Sequence, residues 1–240
     1  MNGPAYWGIA GYPISHSLTP RLFEIIGAEL GIEAQSVYLE ADSIDEFEAN
    51  LENLRGDIWL SCTTPLKHSP QARLAVSEPE GVNAINQLKR TTGVWSGTST
   101  DGVGFVAASR HIGVEPNGSI LRMRGGGSAA RAIAAAWAEE GGLIIPVEGR
   151  RALVGGPWDS AIISDGEADL AIDLDATAGG GESAELSAKQ QVSISYGEDA
   201  TVEDFAVIML AAQHLEAWKL LFVPENSDDI PSLDKILAKL

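Results

Sequence analysis

The feature that most constrains this chain is an alternation of short apolar runs with helix-period segments, in which each apolar run ends in a small polar signature. Tyr6 to Gly11 reads as a strand, Pro20 to Leu30 as a helix with Thr19 as its N-cap, and Gln35 to Glu40 as a second strand. Ser43 to Leu54 places apolar residues at helical spacing behind a Ser-x-x-Glu start formed by Ser43 and Glu46. Asp57 to Thr63 returns as a strand through Ile58, Trp59 and Leu60. Strand, helix and strand in that order predict a mostly parallel sheet with helices on its faces. Such a sheet binds ligand beyond the C-terminal ends of its strands.

Around Asp101 the chain changes character. A turn-rich stretch, Gly93 to Gly102, leads into a helix from about Val103 to His111 and a new strand at Ser119 to Met123. Gly125 to Gly127 then open an alanine-rich helix, Ser128 to Glu140, and Leu143 to Val147 is the next strand. Strand, glycine turn, helix and strand make a βαβ unit of dinucleotide-binding shape. Further on, Asp169 to Leu174 reads as a strand, Thr177 to Gly181 as a loop, Glu203 to Leu221 as a helix and Ser232 to Leu240 as a short final helix. The expected class is therefore α/β with two domains, divided at Asp101.

The polar signatures follow in a fixed order: Gly11-Tyr12-Pro13-Ile14-Ser15-His16-Ser17-Leu18-Thr19-Pro20, Thr63-Thr64-Pro65-Leu66-Lys67, Asn83-Ala84-Ile85-Asn86 and Thr100-Asp101-Gly102-Val103-Gly104-Phe105. Gly125-Gly126-Gly127-Ser128-Ala129-Ala130-Arg131 and Met209-Leu210-Ala211-Ala212-Gln213, with Trp218 after it, complete the set. In order, spacing and wording these runs resemble the shikimate dehydrogenase family over nearly the whole chain. The resemblance implies reversible reduction of 3-dehydroshikimate to shikimate in aromatic amino acid (chorismate) biosynthesis, linked to NADP. It implies a substrate-binding domain of residues 1–101 plus 207–240, with the C-terminal helices returning to it, and a Rossmann-like dinucleotide-binding domain of 102–206.

Ketone reduction builds negative charge on the carbonyl oxygen, so the site needs a proton donor within hydrogen-bond reach. Lys67 and Asp101 occupy the motif positions of the family's catalytic pair. Taken alone, Lys67 reads as a solvated loop lysine and Asp101 as a helix N-cap. A polyhydroxylated ring acid also requires donors and acceptors of fixed direction. By resemblance Ser17 and Thr19 hold the substrate carboxylate, while Thr63, Lys67, Asn86, Asp101 and Gln213 bind its ring hydroxyls. Singly, Ser17 and Thr19 read as cap or turn residues, and His16 as a packed turn histidine. Tyr196 offers one further hydroxyl.

On the cofactor side, Gly125 suits the tight turn, Gly127 the approach of a pyrophosphate to backbone, and Ala130 close packing of helix on strand. Gly125, Gly126, Gly127, Ser128 and Ala129 form the expected cradle. Glu148, about 20 residues beyond, suits a ribose diol and NAD, whereas Arg150 and Arg151 suit the extra phosphate of NADP. The family favours NADP, with NAD the other reading. Several departures fall here. Arg122 and Arg124 sit in a strand expected to be apolar on both faces and so need partners. Gly149-Arg150-Arg151 stands in place of an asparagine-arginine-threonine signature, and Ala206 or Ile208 where a glycine is usual. Ser61 and Ser99 each replace an asparagine, and 178–205 is short. These departures leave open a weakened, shikimate dehydrogenase-like binding or regulatory protein, or an NAD-linked quinate/shikimate dehydrogenase.

Composition narrows the partners. A chain of 240 residues, 45% hydrophobic, buries a full core. Its formal net charge of −18 argues against nucleic acid or an anionic membrane as partner. An anionic substrate then requires a local positive patch, for which Lys67 and the arginines at 122, 124, 131, 150 and 151 are candidates. The single cysteine, Cys62, reads as an apolar filler and excludes an internal disulfide and a cysteine zinc site, so no metal is expected. No apolar stretch is expected to approach the roughly 20 residues of a membrane span. A cytoplasmic monomer or homodimer acting on a small molecule is the expectation.

Overall fold

The computed structural model of the chain describes residues 3–68, 73–77, 79, 81–175, 184–197 and 199–240. It forms two compact units, the first Met1–Pro79, Asn83–Thr100 and His214–Leu240, the second Glu80–Val82 and Asp101–Gln213.

The first unit is built on β1 (Tyr6–Gly11), β2 (Gln35–Glu40), β3 (Ile58–Cys62), β4 (Gln87–Thr91) and β5 (Val94–Thr98), in sheet order β2-β1-β3-β4-β5. β1 pairs in parallel with both β2 and β3, so consecutive strands depart from it in opposite directions. Its C-terminal end is thus a topological switch point, where a crevice opens. The crossover helices are α1 (Thr19–Leu30) and α2 (Ile44–Glu52). Ser43 caps α2 by accepting from Glu46 N, while the Glu46 carboxylate accepts from Asp42 N, so the helix start is closed from both sides. Thr19 is not the cap expected for α1: Leu18 holds that position and Thr19 begins the helix. The shift follows from Pro20, whose fixed φ and missing N–H suit the first turn.

The stretch expected as turns after Gly93 is instead half of a hairpin. β3 pairs antiparallel with β4, and β4 with β5, in register Thr91↔Val94. The two turn residues, Thr92 at φ 50° and Gly93 at φ 83°, both have the positive φ that a tight two-residue hairpin turn requires. Thr92 N donates to Asp57 Oδ1 at 2.8 Å, which ties the turn to the sheet. The first sheet is therefore mixed, with parallel strands extended by an antiparallel pair.

The last part of the first unit is held by aromatic rings. Trp7 stacks on Phe23 with centroids 5.8 Å apart, Trp59 stacks on Phe222 at 5.0 Å, and Trp218 meets Trp59 edge-on at 5.2 Å. Lys89 Nζ donates to the carbonyls of Leu221 and Phe222, satisfying acceptors that a helix end leaves bare. Trp218 and Phe222 belong to a π-helical turn, Trp218–Phe222, that continues α5 (Phe205–Ala217). Phe205–Phe222 is 18 residues at mean hydropathy 1.3, long and apolar enough by length and composition to cross a membrane, contrary to expectation; 67% of it is buried inside the protein. The final helix, α6 (Leu233–Leu237), is capped by Ser232.

The second unit holds β6 (Ile120–Arg124), β7 (Leu143–Val147), β8 (Leu170–Asp173) and β9 (Gln190–Val192), all parallel, in the order β7-β6-β8-β9. Here β6 is the switch strand, and the glycine turn follows it directly. Helices α3 (Asp101–His111) and α4 (Ser128–Glu139) cross where a Cβ on Gly102 would lie 2.1 Å from Ala132 O, so only glycine permits that approach. Leu121 and Met123 of β6 are fully buried, whereas Ile120, Arg122 and Arg124 alternate with them at half burial. β6 is thus two-faced rather than apolar throughout. The expected loop at Thr177 to Gly181 lies outside the described residues.

Candidate active site

In the first unit the polar signatures meet at one end of the sheet. Thr63 N donates to Ala10 O at 2.9 Å and Tyr12 N to Thr64 O at 2.8 Å, so the segments leaving β1 and β3 run side by side. Gly11, at φ 143°, makes this possible, because a Cβ there would meet the Thr63 side chain at 2.4 Å. Ile85 N donates to Lys67 O at 2.9 Å, and Cys62 N to Asn86 O at 2.7 Å, which brings the Asn83–Asn86 run against the same end. Thr63, Lys67 and Asn86 are thereby gathered by backbone hydrogen bonds, and the segment leaving β1 beside them leads on to Ser17 and Thr19.

Burial grades across this group. Thr19 and Asn86 are each 2% exposed, while Ser17, Thr63 and Lys67 are half-buried. Ser17 Oγ accepts from Thr19 N at 3.3 Å. Asn86 Oδ1 accepts from Thr100 N at 2.7 Å, and its Nδ2 donates to Thr100 Oγ1. His16, expected as a packed turn residue, is exposed. Cys62 is fully buried; burial pushes its thiol up to about 12, against the opposing pull of Lys67, so it stays protonated as the apolar filler expected.

Residue reading missed one member of this cluster. His214 is wholly buried, with Nε2 3.1 Å from Thr19 Oγ1 and 3.4 Å from Ser61 Oγ. Ser61 Oγ donates onward to Gln87 Oε1 at 2.8 Å. Burial lowers the imidazole to about 3, so the ring is neutral. The only sequence signal was a polar residue inside an apolar helix, next to Gln213.

Asp101 and Gln213 belong to the second unit, in adjoining helices: a Cβ on Gly104, one turn beyond Asp101, would lie 2.5 Å from Gln213 Cβ. Asp101 is 3% exposed and is the first residue of α3 rather than its cap.

The glycine turn suits the phosphates of a dinucleotide. Gly125 turns at φ 109°, a Cβ on Gly126 would come 2.0 Å from Ala152 O, and none of the described atoms lies within 4 Å of one on Gly127. Gly127 is the N-cap of α4 and offers no side chain, so Ser128, Ala129 and the next residues open the helix with backbone N–H groups as its donors. Ala130 is buried beneath the turn. Arg150 and Arg151 are exposed beyond β7. Arg150 is held by Asp175, whose carboxylate accepts the Arg150 backbone N–H while its carbonyl accepts from the Arg150 guanidinium at 3.0 Å. Arg124 has the partners it required, whereas Arg122 has one and leaves its buried Nε without a hydrogen-bond partner among the described residues. Arg122 donates to Gly166 O at 3.0 Å, and Arg124 to Asp173 at 3.1 Å and Glu148 O at 3.2 Å.

Two α/β units, one opening a polar crevice at its switch strand and the other a glycine turn at its own, define a two-domain α/β protein. No family model matches the chain. It is 33% identical over 142 residues to shikimate dehydrogenase (NADP(+)) of Xylella fastidiosa (strain M12), a match covering 56% of this chain and 49% of the relative. The chain spans about half the length of the curated relatives it matches. Its fold is similar to shikimate 5-dehydrogenase from Thermus thermophilus in complex with NADP(H) and shikimate, at TM-score 0.73 and 20% identity over 97% of each chain. It is similar also to shikimate 5-dehydrogenase from Listeria monocytogenes in complex with shikimate and NAD, at TM-score 0.71 and 18% identity over 98% of this chain and 95% of that one. The chain is thus related to the shikimate dehydrogenases in sequence over about half its length and shares their fold over nearly all of it.

Proposed function

We propose that the protein is a shikimate dehydrogenase that catalyses the reversible, NADP-linked reduction of 3-dehydroshikimate to shikimate. The observation that carries the reading is the gathering of Thr63, Lys67 and Asn86 at one end of the first sheet by hydrogen bonds between otherwise distant segments, beside the chain that leads from β1 to Ser17 and Thr19. Residues 1–101 and 207–240 form the substrate-binding domain, and 102–206 holds the cofactor on Gly125, Gly126, Gly127, Ser128, Ala129, Arg150 and Arg151.

Each residue then has a chemical task. Ser17 and Thr19 present adjacent hydroxyls to the ring carboxylate, and Thr63, Asn86, Asp101 and Gln213 hold the ring hydroxyls, where an unpaired buried group costs about 1–3 kcal/mol. When bound, the reduced nicotinamide supplies a hydride. The Lys67 ammonium donates its proton to the carbonyl oxygen as negative charge develops there, and in the reverse direction the neutral amine accepts the alcohol proton. Asp101 is the carboxylate of that pair.

The test follows absorbance of reduced nicotinamide with purified protein and shikimate, with NADP and NAD in parallel and quinate as a second substrate. Turnover with shikimate and NADP supports the reading. Folded protein with no turnover in any combination overturns it in favour of a ligand-binding role.

A further inference from the structure

His214 shares its Nε2 between the hydroxyls of Thr19 and Ser61, at 3.1 and 3.4 Å, inside the core of the first unit. Counting donors fixes the direction of these bonds. A hydroxyl has one hydrogen to give, and that of Ser61 is committed to Gln87 Oε1. With the Gln87 amide oriented so, a lone pair of Ser61 faces the imidazole and Nε2 carries the ring proton, while Gln87 Nε2 is left buried with no hydrogen-bond partner among the described residues. The other nitrogen, Nδ1, is buried with no hydrogen-bond partner among the described residues. As a bare lone pair it is easier to leave unmade than an N–H would be, which agrees with the same tautomer. Phe23 packs edge-on to the ring, with centroids 5.1 Å apart, and fixes its plane.

Thr19 Oγ1 consequently receives a hydrogen bond rather than giving one. Its own hydrogen is left to be donated.

We infer that His214 is a positioning residue for the substrate: as the Nε2–H tautomer it orients the Thr19 hydroxyl as a donor to the carboxylate of a ring acid. The inference rests on the proposed reading of Thr19 as a carboxylate ligand. It adds a residue outside the signature runs and links it to Ser61.

The experiment compares wild type, His214→Phe and His214→Gln in steady-state kinetics with shikimate and NADP, with thermal unfolding run alongside. Phenylalanine keeps the ring packing and removes Nε2, whereas glutamine returns an amide N–H near the same place. His214→Phe is expected to raise KM for shikimate about five- to tenfold, the scale of one hydrogen bond, with kcat and the KM for NADP changing far less. His214→Gln is expected to recover most of the loss. Shikimate is also expected to shift the His214 Nε2 resonance of wild type, and the methyl ester of shikimate to shift it less. That measurement decides the matter if the phenylalanine variant does not fold. An unchanged shikimate KM in folded His214→Phe, or a resonance unmoved at saturating shikimate, overturns the role of His214 while leaving the dehydrogenase reading intact. Absence of shikimate turnover and binding in wild type overturns the reading and this inference together.

Discussion

The side-chain carbonyl of Asn86 accepts the backbone N–H of Thr100 at 2.7 Å, immediately before α3 begins at Asp101. An amide proposed to bind ligand thus also anchors the chain where one unit ends. Asn86→Ala leaves the buried Thr100 N–H without that acceptor and is expected to lower stability by about 1–3 kcal/mol. Asn86→Asp, which keeps an oxygen there, should lose less. Urea denaturation of the two variants checks the order, and equal losses would separate the amide from the anchor.

Lys67 is proposed to act on the developing alkoxide, so its removal should be felt in the transition state. Lys67→Ala is expected to reduce kcat by about 10²–10⁴-fold, the range for a positioned acid or base, while shikimate still binds in titration calorimetry. Turnover near the wild-type rate would remove the catalytic assignment.

Arg150 is exposed beyond β7 and fixed to Asp175 through both its backbone and its guanidinium. Arg150→Ala is expected to weaken NADP about tenfold, the scale of a charge-assisted hydrogen bond, and NAD much less. Dissociation constants for the two nucleotides decide this, and equal weakening of both would deny Arg150 a role at the extra phosphate.

Arg124 reaches the buried carboxylate of Asp173 at 3.1 Å. Burial by itself would push that carboxyl up, but backbone N–H groups of Ala184 and Asp175, together with Arg124, outweigh it and hold the group below the usual carboxylate range. Its stabilising contribution is therefore complete above the ordinary aspartate value and is lost as pH falls through the lowered one. Arg124→Ala removes one of the three supports and is expected to cost about 2 kcal/mol at pH 7. Chemical denaturation at pH 7 and near pH 3 measures it, with a smaller difference expected in acid.

His214 moves in the same direction for a different reason. Its folded value is about 3, against 6.5 for the free imidazole, because burial disfavours the charged ring. Between those values the unfolded chain binds a proton that the folded protein refuses, so stability is full above pH 6.5 and falls as pH drops toward 3. The slope for one such proton is about 1.4 kcal/mol per pH unit. Unfolding midpoints of His214→Phe should decline less steeply over this interval than those of wild type, and parallel curves would show that other groups set the acid sensitivity.

The elements and the polar runs were legible in the residues because their causes are local. Leu143–Val147 and Tyr6–Gly11 announce themselves as apolar runs bounded by turn formers, Ser43 and Glu46 close a helix start within four residues, and Gly125 and Gly126 mark a turn that suits glycine. The hairpin was less legible, since its turn uses a β-branched Thr92 at positive φ, a conformation held by Asp57 from another part of the chain. Other relationships required the folded chain. Lys89 finds the carbonyls of Leu221 and Phe222, Arg124 finds Asp173, and His214 finds Thr19 across 195 positions of sequence. Propensity, capping and turn chemistry act over a few residues, so sequence states them directly. Pairings between distant side chains arise only when burial of the aromatic and aliphatic core brings their strands and helices together, and no local pattern records which partners will meet.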